Sequence, residues 1–319
     1  MSALKVVTIA DYVSALDRGI TAPHAVAALP KGGDPDIARV VSECDVLVSA
    51  TCKASWLSPS GRGPRLVQST GAGLDGIDIA ALPAGCRVCN VYGHERGVAE
   101  QAFLHILALH KGLFALDSAL RRGNWTPQRK YLTELRGRRL LILGMGHIGA
   151  ELARWGRFFL MEVEALTRTP GKARAQPEAP CPVRGLGELR SRLPHADFVV
   201  VAIPATPQTT DLIGEAELAL MKPSAFIVNV GRGPVINEAA LFQALRSKRI
   251  AGAGLDVWYQ YPVPGQDLLP AHLPFHELDN VIMTPHKPTE ETMSFRLAEI
   301  AKNVDRFARG EPLENQVVP

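Results

Sequence analysis

The chain has 319 residues, 46% of them hydrophobic, 21% charged and 6% aromatic, which is the composition of a folded protein with roughly two domains. Its 35 Lys and Arg against 32 Asp and Glu leave a net charge of +3, too balanced for a dedicated nucleic-acid binder. The longest apolar runs, such as 198–203, fall well short of the roughly 18 residues of a membrane-spanning helix. The stretch from Leu4 to Ala10 lacks the basic flank and long apolar core of a secretory signal. Small-molecule chemistry or protein contacts, in the cytoplasm and away from membranes, are the expectation.

In chain order, residues 4–10, 45–50, 65–69 and 86–91 read as strands, with helices predicted over 11–17, 34–42 and 75–81. Such alternation implies parallel strands with helices on both faces. From Val98 to Leu120 apolar residues recur at helical spacing among Glu100, Gln101, His105, His110, Lys111 and Asp117. This predicts one long, largely buried helix, ended by Gly123 to Pro127. A second alternating unit follows: strands at 138–143 and 162–166 around a helix from Gly146 to about 159, a Pro- and Gly-rich loop at 169–187, strands at 198–203, 225–230, 253–257 and 281–284, and a last helix at 289–309.

The five cysteines (44, 52, 86, 89 and 181) are sparse and odd in number, which fits a reducing compartment rather than a disulfide framework. Cys86 and Cys89 have CxxC spacing on a predicted strand. Residues three apart on a strand point to opposite faces, so a structural role is expected for both, with no metal site.

The run Leu140-Leu141-Ile142-Leu143-Gly144-Met145-Gly146-His147-Ile148-Gly149 is an apolar strand entering GxGxxG and then a helix. In that context the motif is a strong dinucleotide signal. Gly144 allows the turn, Gly146 lets backbone approach a pyrophosphate at the helix N-terminus, and Gly149 allows close helix–strand packing. The next strand ends Thr167-Arg168-Thr169, without the acid that binds a ribose 2′-hydroxyl. Thr167 stands in its place and Arg168 follows, which favours NADP over NAD. The alternative is that Arg168 is a solvated loop charge.

Asn229 to Pro234, Gly254 to Trp258 and Thr284 to Pro288 each follow a strand, at the edge where doubly wound sheets bind ligands. Together with Gly71-Ala72-Gly73-Leu74-Asp75, Val98-Ala99-Glu100, the GMGHIG loop, Pro204 to Thr209, Gly231-Arg232-Gly233, Leu255-Asp256-Val257, Pro285-His286 and Gly310 to Leu313, they make the chain resemble the D-isomer-specific 2-hydroxyacid dehydrogenases over nearly its whole length. The resemblance implies an α/β fold of two Rossmann-like lobes, one flavodoxin-like and one dinucleotide-binding, with a cleft between them. The substrate lobe would comprise 1–93 plus 288–319 and the NAD(P) lobe 94–287, with homodimerisation through the long helix.

The resemblance further implies hydride transfer between a nicotinamide cofactor and a 2-keto or 2-hydroxy acid, glyoxylate or hydroxypyruvate being natural test substrates. Arg232 would bind substrate with its fork of donors. The backbone at Ala72 and Gly73 would hold the carboxylate. His286 would be the acid/base. Cofactor contacts would come from the GxGxxG residues with His147 and Ile148, from Thr167, Arg168 and Thr169, and from Ile203, Pro204, Thr209, Val230, Gly231, Arg232, Asp256 and His286. The family usually pairs the catalytic His with a Glu, and Tyr261 stands in that position here; formate dehydrogenases of the superfamily carry Gln there. His286-Lys287-Pro288 is a second departure. The stretch 259–276, with His272 and His276, has no chemistry assigned. Lys53 and the charges of Gly93-His94-Glu95-Arg96-Gly97 read as substrate contacts or as solvated residues. The alternative function is a non-catalytic, nucleotide-sensing regulator of the C-terminal binding protein type.

Overall fold

The computed structural model describes residues 3–31, 34–57, 62–125, 133–171, 180–262, 267–286 and 291–318. The chain divides into two units, Met1–His94 with Thr289–Pro319, and Glu95–Pro288.

The first unit contains strands β1 (Leu4–Thr8), β2 (His24–Ala28), β3 (Val46–Val48), β4 (Leu66–Gln68), β5 (Arg87–Cys89) and, from the far end of the chain, β13 (Gln316–Val318). They form one sheet in the order β13-β5-β4-β3-β1-β2. Every pairing is parallel except that of β13 with β5. The 2-1-3-4-5 order is the flavodoxin-like one. Alternate residues feed two cores: Val6, Val46, Val48, Leu66 and Cys89 pack on one face, Val7, Leu47, Val67, Val88 and Cys86 on the other. Both faces are covered, so these short strands read as continuous apolar runs. Burial of each such side chain stabilises the unit by about 1.5–3 kcal/mol. Cys86 and Cys89 thus diverge into different cores. All five cysteines are buried free thiols, and burial pushes Cys86 up to about 11.

The second unit holds β6 (Arg139–Leu143), β7 (Glu162–Thr167), β8 (Val183–Gly185), β9 (Phe198–Val201), β10 (Phe226–Asn229), β11 (Gly252–Leu255) and β12 (Val281–Met283) in one parallel sheet. Its order, β12-β11-β10-β9-β6-β7-β8, is the 3-2-1-4-5-6 Rossmann winding with one further strand. Leu141, Leu143, Val199 and Val201 face one core, Leu140, Ile142, Phe198 and Val200 the other.

Several elements differ from the sequence expectation. The long helix is two, Glu95–Lys111 and Leu113–Arg121, bent by 56° where Gly112 adopts φ +62. Only the first is largely buried; Leu113, Phe114 and Leu120 are exposed. Residues 75–81 form no α-helix. A Cβ on Gly76 would lie 2.4 Å from the Ala50 carbonyl oxygen, and Ile77 bridges to Cys52, so the segment turns closely against its neighbour before the single 3-10 turn Ile79–Ala81. Strand β2 went unread because an edge strand with one partner needs no continuous apolar run. Within the expected loop 169–187, β8 forms; residues 172–179 lie outside the described residues, as do Lys287 and Pro288. No single helix among the described residues is long and apolar enough to cross a membrane.

Candidate active site

At the C-terminal end of β6 the chain turns through Gly144, at φ +107, into the helix His147–Phe158. A Cβ on Gly144 would fall 2.6 Å from the Ala202 carbonyl oxygen, and one on Gly149 only 2.1 Å from that of Gly144. Both glycines are required by close packing. Gly146 differs: nothing lies within 4 Å of where its Cβ would stand. It is the residue before the helix, and no side chain caps the helix there. Open space over an uncapped helix N-terminus is what a phosphate needs, because the first-turn N–H groups have no intrahelical acceptor.

Around this turn the other strand ends are braced. After β9, the Thr209 hydroxyl donates to the Pro204 carbonyl (2.7 Å) and accepts from the Thr206 amide (2.8 Å). After β10, Val230 is buried, and a Cβ on Gly231 would lie 2.6 Å from the carbonyl oxygen of Ile203. The Asn229 side chain accepts from the Gly231 amide (3.1 Å) and donates to the Arg232 carbonyl (2.9 Å). Arg232 is therefore presented from a fixed backbone, its guanidinium donating to the Gly231 carbonyl (2.8 Å). At the end of β7, Thr167 is half-buried, whereas Arg168 and Thr169 are exposed.

His286 follows β12 with a left-handed φ of +52. His is one of the few non-glycine types enriched in that region. Tyr261, 46% exposed, places its hydroxyl 2.9 Å from His286 Nδ1. The Trp258 amide also donates to that hydroxyl (3.3 Å). A phenol thus stands against the His286 imidazole. Behind them Asp256 is buried. Its carboxylate accepts from the Thr284 hydroxyl (2.6 Å) and from the His286 backbone amide. Burial raises the Asp256 carboxyl above its ordinary value, and the Thr284 bond and the His286 charge oppose the rise. Burial also lowers His286, with the Arg232 cation adding to this and Asp256 opposing it.

Other polar residues at this site escaped sequence reasoning. Trp258 Nε1 donates to the Thr284 carbonyl (2.7 Å). From the long helix, Gln101 and His105 reach Thr284. The available signal was their i,i+4 spacing on an otherwise apolar helix.

Apart from Tyr261, the segment 259–276 is structural where described. Phe275 and Ala271 enter the core, and Tyr259 donates to the Ile236 carbonyl (2.9 Å). Glu238 accepts from the His272 and Leu273 amides and pairs with the His272 ring. Residues 263–266 lie outside the described residues.

In the other unit, hydrogen bonds brace the loop after β4. Ser69 donates to the Gly73 carbonyl (3.1 Å), the Asn90 side chain to that of Ala72 (3.0 Å), and Arg296 to that of Thr70 (3.0 Å). Its carbonyls are taken, while the amides of Ala72 and Gly73 bond to no group among the described residues. Paired free N–H groups of this kind suit a carboxylate. Lys53 is exposed, and Glu95 to Gly97 open the long helix.

The family model for the NAD binding domain of D-isomer specific 2-hydroxyacid dehydrogenases matches residues 103–287. The chain belongs to that family. The glyoxylate reductase of Pyrococcus furiosus is 35% identical over 260 residues, 77% of this chain and 74% of that one. The D-3-phosphoglycerate dehydrogenase of Methanocaldococcus jannaschii is 34% identical over 293 residues, 91% of this chain but 53% of the longer protein. Among solved structures, a D-isomer specific 2-hydroxyacid dehydrogenase family protein from Aeromonas salmonicida superposes with a TM-score of 0.82 at 27% identity, covering 99% of both chains.

As a D-2-hydroxyacid dehydrogenase the protein is an NAD(P)-dependent oxidoreductase that interconverts a 2-keto and a 2-hydroxy acid. The residues present fit the nicotinamide dinucleotide: the space over Gly146 and the uncapped helix accommodate its pyrophosphate.

Proposed function

We propose that this dehydrogenase reduces a small 2-keto acid with His286 as the proton donor, Arg232 as the substrate cation and Tyr261 as the partner of His286. The observation that carries the reading is the 2.9 Å contact between the Tyr261 hydroxyl and His286 Nδ1, which orients the imidazole so that Nε2 is the nitrogen left for substrate. The bound cofactor supplies a hydride to the carbonyl carbon. The protein does the rest. Arg232 polarises the keto acid and neutralises its charge, and His286 delivers one proton to the carbonyl oxygen. Oxidation runs the same steps backwards, with neutral His286 as the base. The deciding assay follows NADPH and NADH oxidation against a panel of 2-keto acids, glyoxylate and hydroxypyruvate included. Turnover supports the reading; cofactor binding without turnover on any of them would favour a nucleotide-sensing regulator.

NADP is the favoured cofactor. Arg168 is exposed at the end of β7 and makes no hydrogen bond or ion pair with any described residue, so its guanidinium is available to a 2′-phosphate. NADPH should bind tighter than NADH by about ten- to a hundredfold, the worth of a charge-assisted hydrogen bond. Thr167→Asp combined with Arg168→Ala should reverse the order. Titration of each cofactor by fluorescence tests this, and equal dissociation constants in the native enzyme would refute it.

The pairing with a neutral phenol has a consequence for pH. Reduction needs protonated His286, and burial and Arg232 hold that group below its ordinary value. The protonated fraction is therefore already falling below about pH 6.5, and kcat/KM for reduction should decline as pH rises through that region. Tyr261→Glu supplies a negative charge that favours imidazolium, so the decline should move to higher pH. A Tyr261→Glu profile that superimposes on the native one would rule out electrostatic control by this position.

A homodimer accounts for the apolar surface of the bent helix pair. Leu104, Leu113, Phe114, Leu120 and, just beyond, Trp125 are all about half exposed or more, and large apolar side chains left in water suit an interaction surface. Light scattering should give twice the chain mass, and Phe114→Glu with Leu113→Glu should halve it.

A further inference from the structure

The long helix presents two polar side chains to Thr284, the half-buried Gln101 and the buried His105. The Gln101 amide nitrogen is 3.0 Å from His105 Nε2 and 3.2 Å from the Thr284 hydroxyl. Two protons serve two acceptors. The Thr284 oxygen, once it accepts from Gln101, has its own proton left to give, and Asp256 Oδ1 is 2.6 Å away. Two other acceptors lie farther off, His105 Nε2 at 3.2 Å and the Leu255 carbonyl at 3.5 Å. His105 is buried, and burial lowers it to about 4, so near neutral pH it is uncharged, and in the tautomer with its proton on Nδ1 its Nε2 accepts from Gln101. Its side chain packs closely on Gly254, where an added Cβ would lie 2.6 Å from the His105 Cβ and 2.8 Å from its ring.

We propose that Gln101 and His105 are positioning residues that point the Thr284 hydroxyl at Asp256 and thereby keep that buried carboxylate ionised beside His286. His105 fixes which way the Gln101 amide faces; Gln101 fixes which way the Thr284 proton faces; Thr284 stabilises the charge on Asp256. The charged and titratable groups facing His286 are Asp256 from the end of β11, Arg232 from the loop after β10 and Tyr261 from the loop after Trp258. Asp256 is the only one of them whose charge favours imidazolium. In this enzyme, where no carboxylate occupies the position of Tyr261, the proton on His286 depends on a network that begins on another helix. The catalytic consequence rests on His286 being the proton donor.

The test titrates His286 directly by NMR, assigning its resonance by its loss in His286→Asn, in parallel with pH profiles of kcat/KM. Gln101→Leu removes both donated protons and Thr284→Val removes the hydroxyl at nearly constant shape. Each should lower the His286 pKa by about half to one pH unit, the fraction of a lost charge-assisted bond transmitted from Asp256. The double variant should go no further than either single one, because the bonds are in series. His105→Leu should act in the same direction, whereas His105→Gln, which restores an acceptor oxygen, should return the titration towards native. A purely structural role would lower the melting temperature and leave the titration alone. An unchanged His286 pKa in both Gln101→Leu and Thr284→Val overturns the proposal. If instead the titration moves but the kcat/KM profile does not, the network stands and the assignment of His286 as proton donor falls.

Discussion

Replacing His286 by Asn should lower kcat for keto-acid reduction by about a hundred- to ten-thousandfold, the usual contribution of a positioned acid. Asn is the choice because residue 286 sits at φ +52, a conformation Asn tolerates and β-branched residues do not. The variant should therefore fold and bind cofactor, with a melting temperature close to native. The remaining activity should also lose the pH dependence of the native reaction, since the titrating group is gone. Single-turnover reduction at several pH values measures both effects. A kcat within a few-fold of native would remove His286 from the chemistry.

Arg232→Lys should lower kcat/KM by about ten- to a hundredfold although the charge is kept. Lys offers a point charge on a flexible stem and cannot present two parallel donors to a carboxylate or polarised carbonyl. The native guanidinium is also pinned by its bond to the Gly231 carbonyl (2.8 Å), on a loop whose glycines are hemmed by Ile203 and Trp258. An ammonium would forfeit that preorganisation. The cofactor dissociation constant should change little. Steady-state kinetics with one good keto acid provide the check; native kcat and KM in the Lys variant would exclude Arg232 from substrate binding.

What could be read from the sequence was whatever is local. A strand, a GxGxxG turn and a helix are encoded within about twenty consecutive residues, so the Gly144–Gly149 turn was legible. The central strands of the second unit, buried on both sides, also announce themselves as apolar runs. Long-range features were not legible. Strand β2 has a single neighbour and pairs with β1 across intervening chain. The break at Gly112 depends on one glycine adopting φ +62, and helical periodicity continues across it undisturbed. At the site, the resemblance to the family's motif after Asp256 implied Tyr261 as the residue in the partner position. The bonds joining Thr284 to Gln101 and His105 span 183 and 179 residues. Nothing at either end of the sequence announces them, because a polar residue on an apolar helix looks the same whether or not it has a partner across the core.

The antiparallel strand β13 has a consequence for how the chain is handled. Gln316 and Val318 pair with Cys89 and Val88, the Asn90 amide donates to the Asn315 carbonyl, and Asn303 exchanges bonds with the Glu314 backbone. Together they cover the side of β5 that no other strand reaches. Truncation ahead of Gln316 would leave the backbone of Arg87–Cys89 as a bare template, and such edges recruit strands from other molecules. A shortened chain that loses activity would then be reporting adhesion between copies rather than damage to its chemistry, and a purification handle is better carried at the opposite end.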